Sequence, residues 1–348
     1  MLSERQLLIL KTIVRNYIGT AKPIGSSALV NESNLPFSSA TIRNEMGILE
    51  QRGFIEKTHS SSGRVPSEQG YRYYVDFLVG KMAIHPSDMQ LIHQLFSREY
   101  SEMGELIRNS ADILSNLTNY TAIVLGPNMQ LNRLASFQLI PISARQVVAI
   151  LVTTTGHVEN HRFNLVTDVS ASDIERVVAI LNEKLVNLPL NEIKGRLPRE
   201  VNELLQRHTS EFEAIQTLLT SVFHQTPQEK IVFSGQSHIL NQPEFSQTSQ
   251  IRDVIKLLEQ RDDVFELVND VPEGINVMIG DEISNNLFKD FSLITSTYKV
   301  DDQKAGVIAL LGPTRMSYDR SIQVIDEVSK DLSHFLTHHY DEGENKKT

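Results

Sequence analysis

Residues 38–74 read SSATIRNEMGILEQRGFIEKTHSSSGRVPSEQGYRYY, and three patterns follow one another within them. Behind the paired serines Ser38 and Ser39, Ile42, Met46 and Leu49 recur at three- and four-residue steps, which predicts a serine-capped helix with one apolar face. A rotation of about 100° per residue places Ala40, Arg43, Asn44, Gly47 and Gln51 on the other side. Gly53 ends that helix, and Phe54 to Lys57 predict a short strand. His59, Ser60, Ser61, Ser62, Gly63 and Arg64 then form a small polar loop before the chain returns. A strand, a Ser/Gly tip and a returning segment make a β-hairpin, after which Tyr71, Tyr73 and Tyr74 dock the next segment.

Upstream, Ser3 is placed to cap a helix whose apolar beats are Leu7, Leu10, Val14 and Tyr17. Lys22-Pro23-Ile24-Gly25 breaks it, SSALVNES is a short second helix, and Asn34 to Phe37 is a turn. Three short helices followed by a hairpin form a winged helix-turn-helix pattern. Arginine and asparagine make paired hydrogen bonds to guanine and adenine edges in the major groove, and Arg43 and Asn44 lie in the first turns of the third helix, where recognition helices meet bases. Thr41, with Ser38 and Ser39, would contact phosphates or fix the helix start. The loop from His59 to Arg64 suits contact with phosphates or the minor groove.

The stretch ATIRNEM, then LE, G and THSSSGR-P-S-GYRYYV resembles the signature of the HrcA family, the heat-inducible transcription repressors of bacteria. Near the other end, GVIALLGPTRMSYDRSIQVID is similar to that family's closing pattern. INVMIGDEISN departs from it, since Ile283 and Ser284 separate Glu282 from Asn285. The resemblance implies a repressor of chaperone operons that binds an inverted-repeat operator in double-stranded DNA as a homodimer, is released on heat shock, and needs the chaperonin to stay active. It further implies an α+β multidomain chain. A winged helix over residues 1–80 and a helical connector over 81–118 would precede a GAF-like α/β domain, formed by 119–190 and 261–340. A dimerising segment over 191–260 would interrupt that domain.

Composition is compatible with this. Among 348 residues there are no cysteines, which removes disulfides, thiolate zinc sites and cysteine nucleophiles. Net charge is −10, but residues 1–80 carry +2 and the remainder −12, so the N-terminal module escapes the acidic bias. The longest wholly apolar run, Val147 to Val152, falls far short of the ~20 residues a membrane helix needs. The start, MLSERQLLIL, lacks the basic opening of a signal peptide, so a cytoplasmic protein is expected.

Residues 85–118 read as polar helix, with Ile92, Leu95, Ile107 and Leu114 among its apolar beats. TAIVLGP, ASFQLIPI, QVVAILVTTTGHVENHRF and GINVMIG read as strands, expected together in one sheet domain. REVNELLQRHTSEFEAIQTLLTSVF and IRDVIKLLEQ are amphipathic and offer helices for a dimer contact or for packing within the domain. Residues for chemistry are sparse. LGPNMQ and LGPTRM read as strand-end turns rather than phosphate loops, and His334 and His338 as a solvated helix end rather than a metal site. No cofactor, metal or catalytic residue is expected. A regulator whose GAF-like domain binds a small metabolite remains the second reading, and an enzyme with a DNA-binding domain the third.

Overall fold

The computed structural model describes residues 2–33, 35–58, 63–80, 84–98, 100, 103–126, 133–143, 145–154, 158–165, 167–196, 212–224, 231–245, 261–283, 288–300 and 303–345. Helix α1 (Glu4–Thr20) starts at a capping box, in which Ser3 accepts from the Gln6 amide and Gln6 returns the bond to Ser3. It ends at Ala21, in the left-handed region at φ 53°. Helices α2 (Ser26–Ser33) and α3 (Ser39–Gln51) pack against it, and Ile9, Leu10, Ile13 and Val14 are buried with Ile42, Met46 and Leu49.

Gly53, at φ +80°, turns the chain out of α3 into a two-stranded antiparallel hairpin. Its strands are β1 (Ile55–Lys57) and β2 (Arg64–Pro66), with Glu56 opposite Val65. Helix α4 (Glu68–Tyr73) follows, then a π-helical turn over Tyr74–Leu78. Gly70 in α4 is required by closeness, because a Cβ there would lie 2.0 Å from the Phe54 carbonyl oxygen. Tyr71 and Tyr74 are buried, and Tyr73 meets Phe54 edge-on at 5.2 Å, so the tyrosines do dock this segment.

The reading of 85–118 resolves into two helices, α5 (Pro86–Phe96) and α6 (Met103–Thr118). Beyond them stands a five-stranded antiparallel sheet. Its strands, from one edge to the other, are Ile231–Ser234, Thr121–Leu125, Gln303–Pro313, Phe291–Val300 and Ile275–Ile279. Numbered along the chain, these are β7, β3, β10, β9 and β8, once the three strands of a smaller sheet are counted as β4–β6. The two longest, β9 and β10, are buried along nearly their whole length, as strands covered on both faces must be. One face packs on α6 and on the last helix, Tyr318–Asn345. The other face packs on the helices Gln236–Leu240 and Arg261–Asn269.

The smaller sheet is β4 (Leu134–Ser143), β5 (Gln146–Thr153) and β6 (Val158–Asn164), in that order and antiparallel. Helices α7 (Ala171–Leu185), α8 (Leu190–Arg196) and α9 (Phe212–His224) lie on one of its faces around a core of its own. The remaining helices are therefore α10 (Gln236–Leu240), α11 (Arg261–Asn269) and α12 (Tyr318–Asn345). The strands read at 135–142 and 146–163, expected in one sheet domain with β3 and β8, pair with one another in a sheet of their own. Conversely β7, inside the 191–260 stretch, is an edge strand of the larger sheet. Alternation reports that a segment is a strand with a buried face, and many partners satisfy the same alternation. Of the amphipathic stretches, α9 turns Ile215, Leu218, Leu219 and Val222 into the local core, while 197–211 and 251–260 lie outside the described residues.

Candidate nucleic-acid interface

Helix α3 presents the face that its spacing predicts. Ala40, Arg43, Asn44 and Gln51 are exposed and Gly47 is half-exposed, with open space where a Cβ would stand. The buried stripe of Ile42, Met46 and Leu49 holds the helix to α1. On the rim, Glu45 receives Arg5 at 3.4 Å and the Gln6 amide at 3.0 Å, which fixes the rotation of α3 about its own axis.

The hydroxyls at the start of α3 are already engaged. Ser38 accepts from the Thr41 amide at 3.1 Å and lies 2.8 Å from the Thr41 hydroxyl, so Ser38 is the cap and Thr41 supports it. Ser39 lies 3.2 Å from the hydroxyls of both Ser26 and Ser27, tying the start of α3 to the start of α2. In the sequence Ser26 and Ser27 mark the start of a second helix, and nothing local announces that they tie it to α3.

The hairpin residues divide. His59, Ser60, Ser61 and Ser62 lie outside the described residues. Gly63 is buried against Pro23, whose backbone carbon would sit 2.8 Å from a Cβ at Gly63. Arg64 is turned inward. Its guanidinium donates twice to one oxygen of Glu50, at 3.0 and 2.8 Å, and its side chain is only 16% exposed. Its backbone exchanges bonds of 2.9 and 3.0 Å with Ile24. Lys57 approaches the other Glu50 oxygen at 3.6 Å. Glu50 therefore clamps both hairpin strands to α3, a role that no local pattern announces because its partners are strands further along the chain.

The surface so assembled has an exposed Arg-Asn helix face, a hairpin held beside it, and a serine-capped start of α3 tied by hydroxyls to the start of α2. It offers donors for base edges and backbone anions, and among the described residues it brings together no nucleophile–base pair. Elsewhere, the only group of three metal-type ligands among the described residues is His93, Glu327 and Asp331, whose ligand atoms lie within 4.8 Å of one another. His93 Nδ1 meets Asp331 at 2.9 Å, an ordinary pairing of α5 with α12. His334 and His338 are exposed and are not members of that group. Among the described residues, no helix is long and apolar enough to cross a membrane.

A family model described as HrcA protein C terminal domain matches residues 104–322. Over 345 residues the chain is 49% identical to the heat-inducible transcription repressor HrcA of Listeria welshimeri, covering 99% of this chain and 100% of that one. The repressor of the same name from Bacillus pumilus is 45% identical over 343 residues, 98% of this chain and 100% of that one. A crystal structure of a hypothetical protein, 26% identical, superposes with a TM-score of 0.71 over 97% of this chain and 100% of the other.

Proposed function

The chain belongs to the HrcA family of heat-inducible transcription repressors, and from that membership we propose how it engages its operator. It is a negative regulator of heat-inducible genes. The observation that carries the rest is the exposed Ala40, Arg43, Asn44, Gly47, Gln51 face of α3, held beside a hairpin that Glu50 clamps in place.

Residues 1–80 act as a winged helix-turn-helix. Arg43 and Asn44 read base edges in the major groove, Gln51 and the open position at Gly47 allow the helix to seat, and the hairpin tip from His59 to Ser62 lies along the backbone. Arg64 contributes by holding the hairpin in position. The five-stranded sheet with α6, α10, α11 and α12 is the GAF-like domain, interrupted by an insertion over about 133–224. A palindromic operator requires a twofold protein. The outward face of the smaller sheet suits that contact, where Ile140, Val148, Ile150, Val152 and Val158 face away from its helices; Ile140 and Val158 are 42% and 54% exposed. The protein works in the cytoplasm without catalysis, and the chaperonin maintains its active form.

The test is fluorescence anisotropy of the purified protein on a duplex carrying the family's inverted repeat, beside a scrambled duplex, at two salt concentrations. Preference for the repeat, with log K falling as log salt rises by about 0.9 per phosphate neutralised, is expected. A folded dimer that binds neither duplex would sink the proposal. Operator affinity equal after refolding with and without chaperonin would remove that partner alone.

A further inference from the structure

Helix α1 carries no basic residue in its last turn, so its own sequence supplies no cation for the carbonyls that the helix leaves unpaired there. One arrives from far along the chain. Arg315, in the turn after β10, donates Nη1 to the Ile18 carbonyl at 2.9 Å. The same guanidinium is held by Glu244 and by the Gln242 side chain, the latter at 3.2 Å, and it is only 12% exposed. Gln242 and Glu244 lie just beyond α10, so one side chain joins the end of α1 to the turn after β10 and to the turn after α10, a helix packed on the larger sheet.

Two further side chains bridge the seam between residues 1–80 and the larger-sheet region. Asp319, at the start of α12, accepts from the Tyr74 hydroxyl at 2.5 Å, from Arg15 at 3.2 Å and from the Gly80 amide at 3.3 Å. Arg72 donates to Glu282 and to the Val277 carbonyl at 2.7 Å. The Tyr71 hydroxyl and the second Glu244 oxygen are buried with no partner among the described residues. The seam is therefore oriented by a few directional contacts, and Glu244 depends on Arg315 for compensation.

We infer that Arg315 is a positioning residue for operator recognition: by fixing the end of α1 to the larger sheet it fixes α3, and so sets which spacing between half-sites the protein accepts. This rests on the twofold, inverted-repeat reading above. Changing a spacer by one base pair moves a half-site by about 3.4 Å and turns it by about 34°. A reading helix whose orientation is fixed relative to the rest of the chain rejects that change, and one that swivels tolerates it.

The experiment measures anisotropy of wild type, Arg315→Ala and Arg315→Lys on four duplexes: the inverted repeat, the same repeat with one base pair added to or removed from the spacer, and a single half-site. Wild type is expected to prefer the natural spacer roughly tenfold or more, which is about 1.4 kcal/mol. Arg315→Ala should bring the three spacers to within about twofold of one another while half-site affinity stays within about twofold of wild type. Lysine keeps the charge without the fork, and is expected to lose part of the preference. Undiminished spacer preference in Arg315→Ala overturns the inference, as does a wild type that recognises the repeat at every spacing. If the alanine variant does not fold, the lysine variant and Tyr74→Phe decide in the same way. A scrambled duplex is run beside the four with wild type, and a wild type indifferent between it and the repeat would instead defeat the operator reading itself.

Discussion

Arg43 and Arg64 are chemically alike and differently placed. Arg43 projects from the exposed face of α3, whereas Arg64 is spent on Glu50 beneath the hairpin. Arg43→Ala is therefore expected to lose about 1–3 kcal/mol of discrimination between operator and scrambled DNA, with the unfolding midpoint unchanged. Arg64→Ala should lower the stability of the protein by about 2 kcal/mol, because Glu50 keeps its charge and loses a twofold donor. Paired urea titrations and anisotropy curves separate the two. Equal loss of discrimination at equal stability would refute the assignment. The arginine types and their spacing were legible in the sequence, but which one faces outward was not. That depends on an acid 14 positions earlier that only the folded hairpin brings near.

Helix starts and stops were the most legible elements. Ser3 and Ser38 cap α1 and α3 where the pattern predicts, and Gly53 takes the left-handed turn that ends the third helix. These devices act within a few residues, so local sequence is sufficient to specify them. The end of α1 shows the other case. Ala21 stands there at φ 53°, a conformation that costs an L-residue roughly 1–2 kcal/mol. Ala21→Gly is expected to raise the urea midpoint by up to about 1 kcal/mol in stability, after the added freedom of the unfolded chain is subtracted. A lowered midpoint would show that the alanine methyl packs usefully.

At the scale of the whole molecule, one continuous core runs from Ile9 and Met46 through Tyr71 and Tyr74 to Tyr298 and Leu332. The seam it crosses is rich in phenols. Burial, joined by the bond to Asp319, pushes the Tyr74 hydroxyl up to about 12, and burial raises Tyr71, Tyr120 and Tyr318 in the same direction. A phenol held neutral by folding stabilises the protein fully below its unfolded value of about 10. That contribution is lost as pH rises from there through about 12. Urea unfolding across this range should show falling stability together with rising tyrosinate absorbance, and a flat profile would contradict it. The twofold reading has its own check. Ile150→Lys, on the outward face of the smaller sheet, is expected to shift the protein towards monomer in sedimentation and to weaken binding to the repeat more than to a half-site. A dimer of unchanged stability would move the contact elsewhere.

By itself the sequence determined the elements whose causes are local: the capped helices, the turn at Gly53, the hairpin, the alternating strands, and the Arg-Asn face of α3. It also carried the family signature at both ends of the chain. Tertiary structure alone decided that residues 134–164 form a second sheet while β7 returns to the first, that Arg64 serves Glu50, and that Arg315 reaches Ile18 across the chain. The physical reason is the same in each case. Periodicity and capping report how a segment faces a core or ends a turn, whereas pairing between distant segments depends on which complementary surface folding brings within reach.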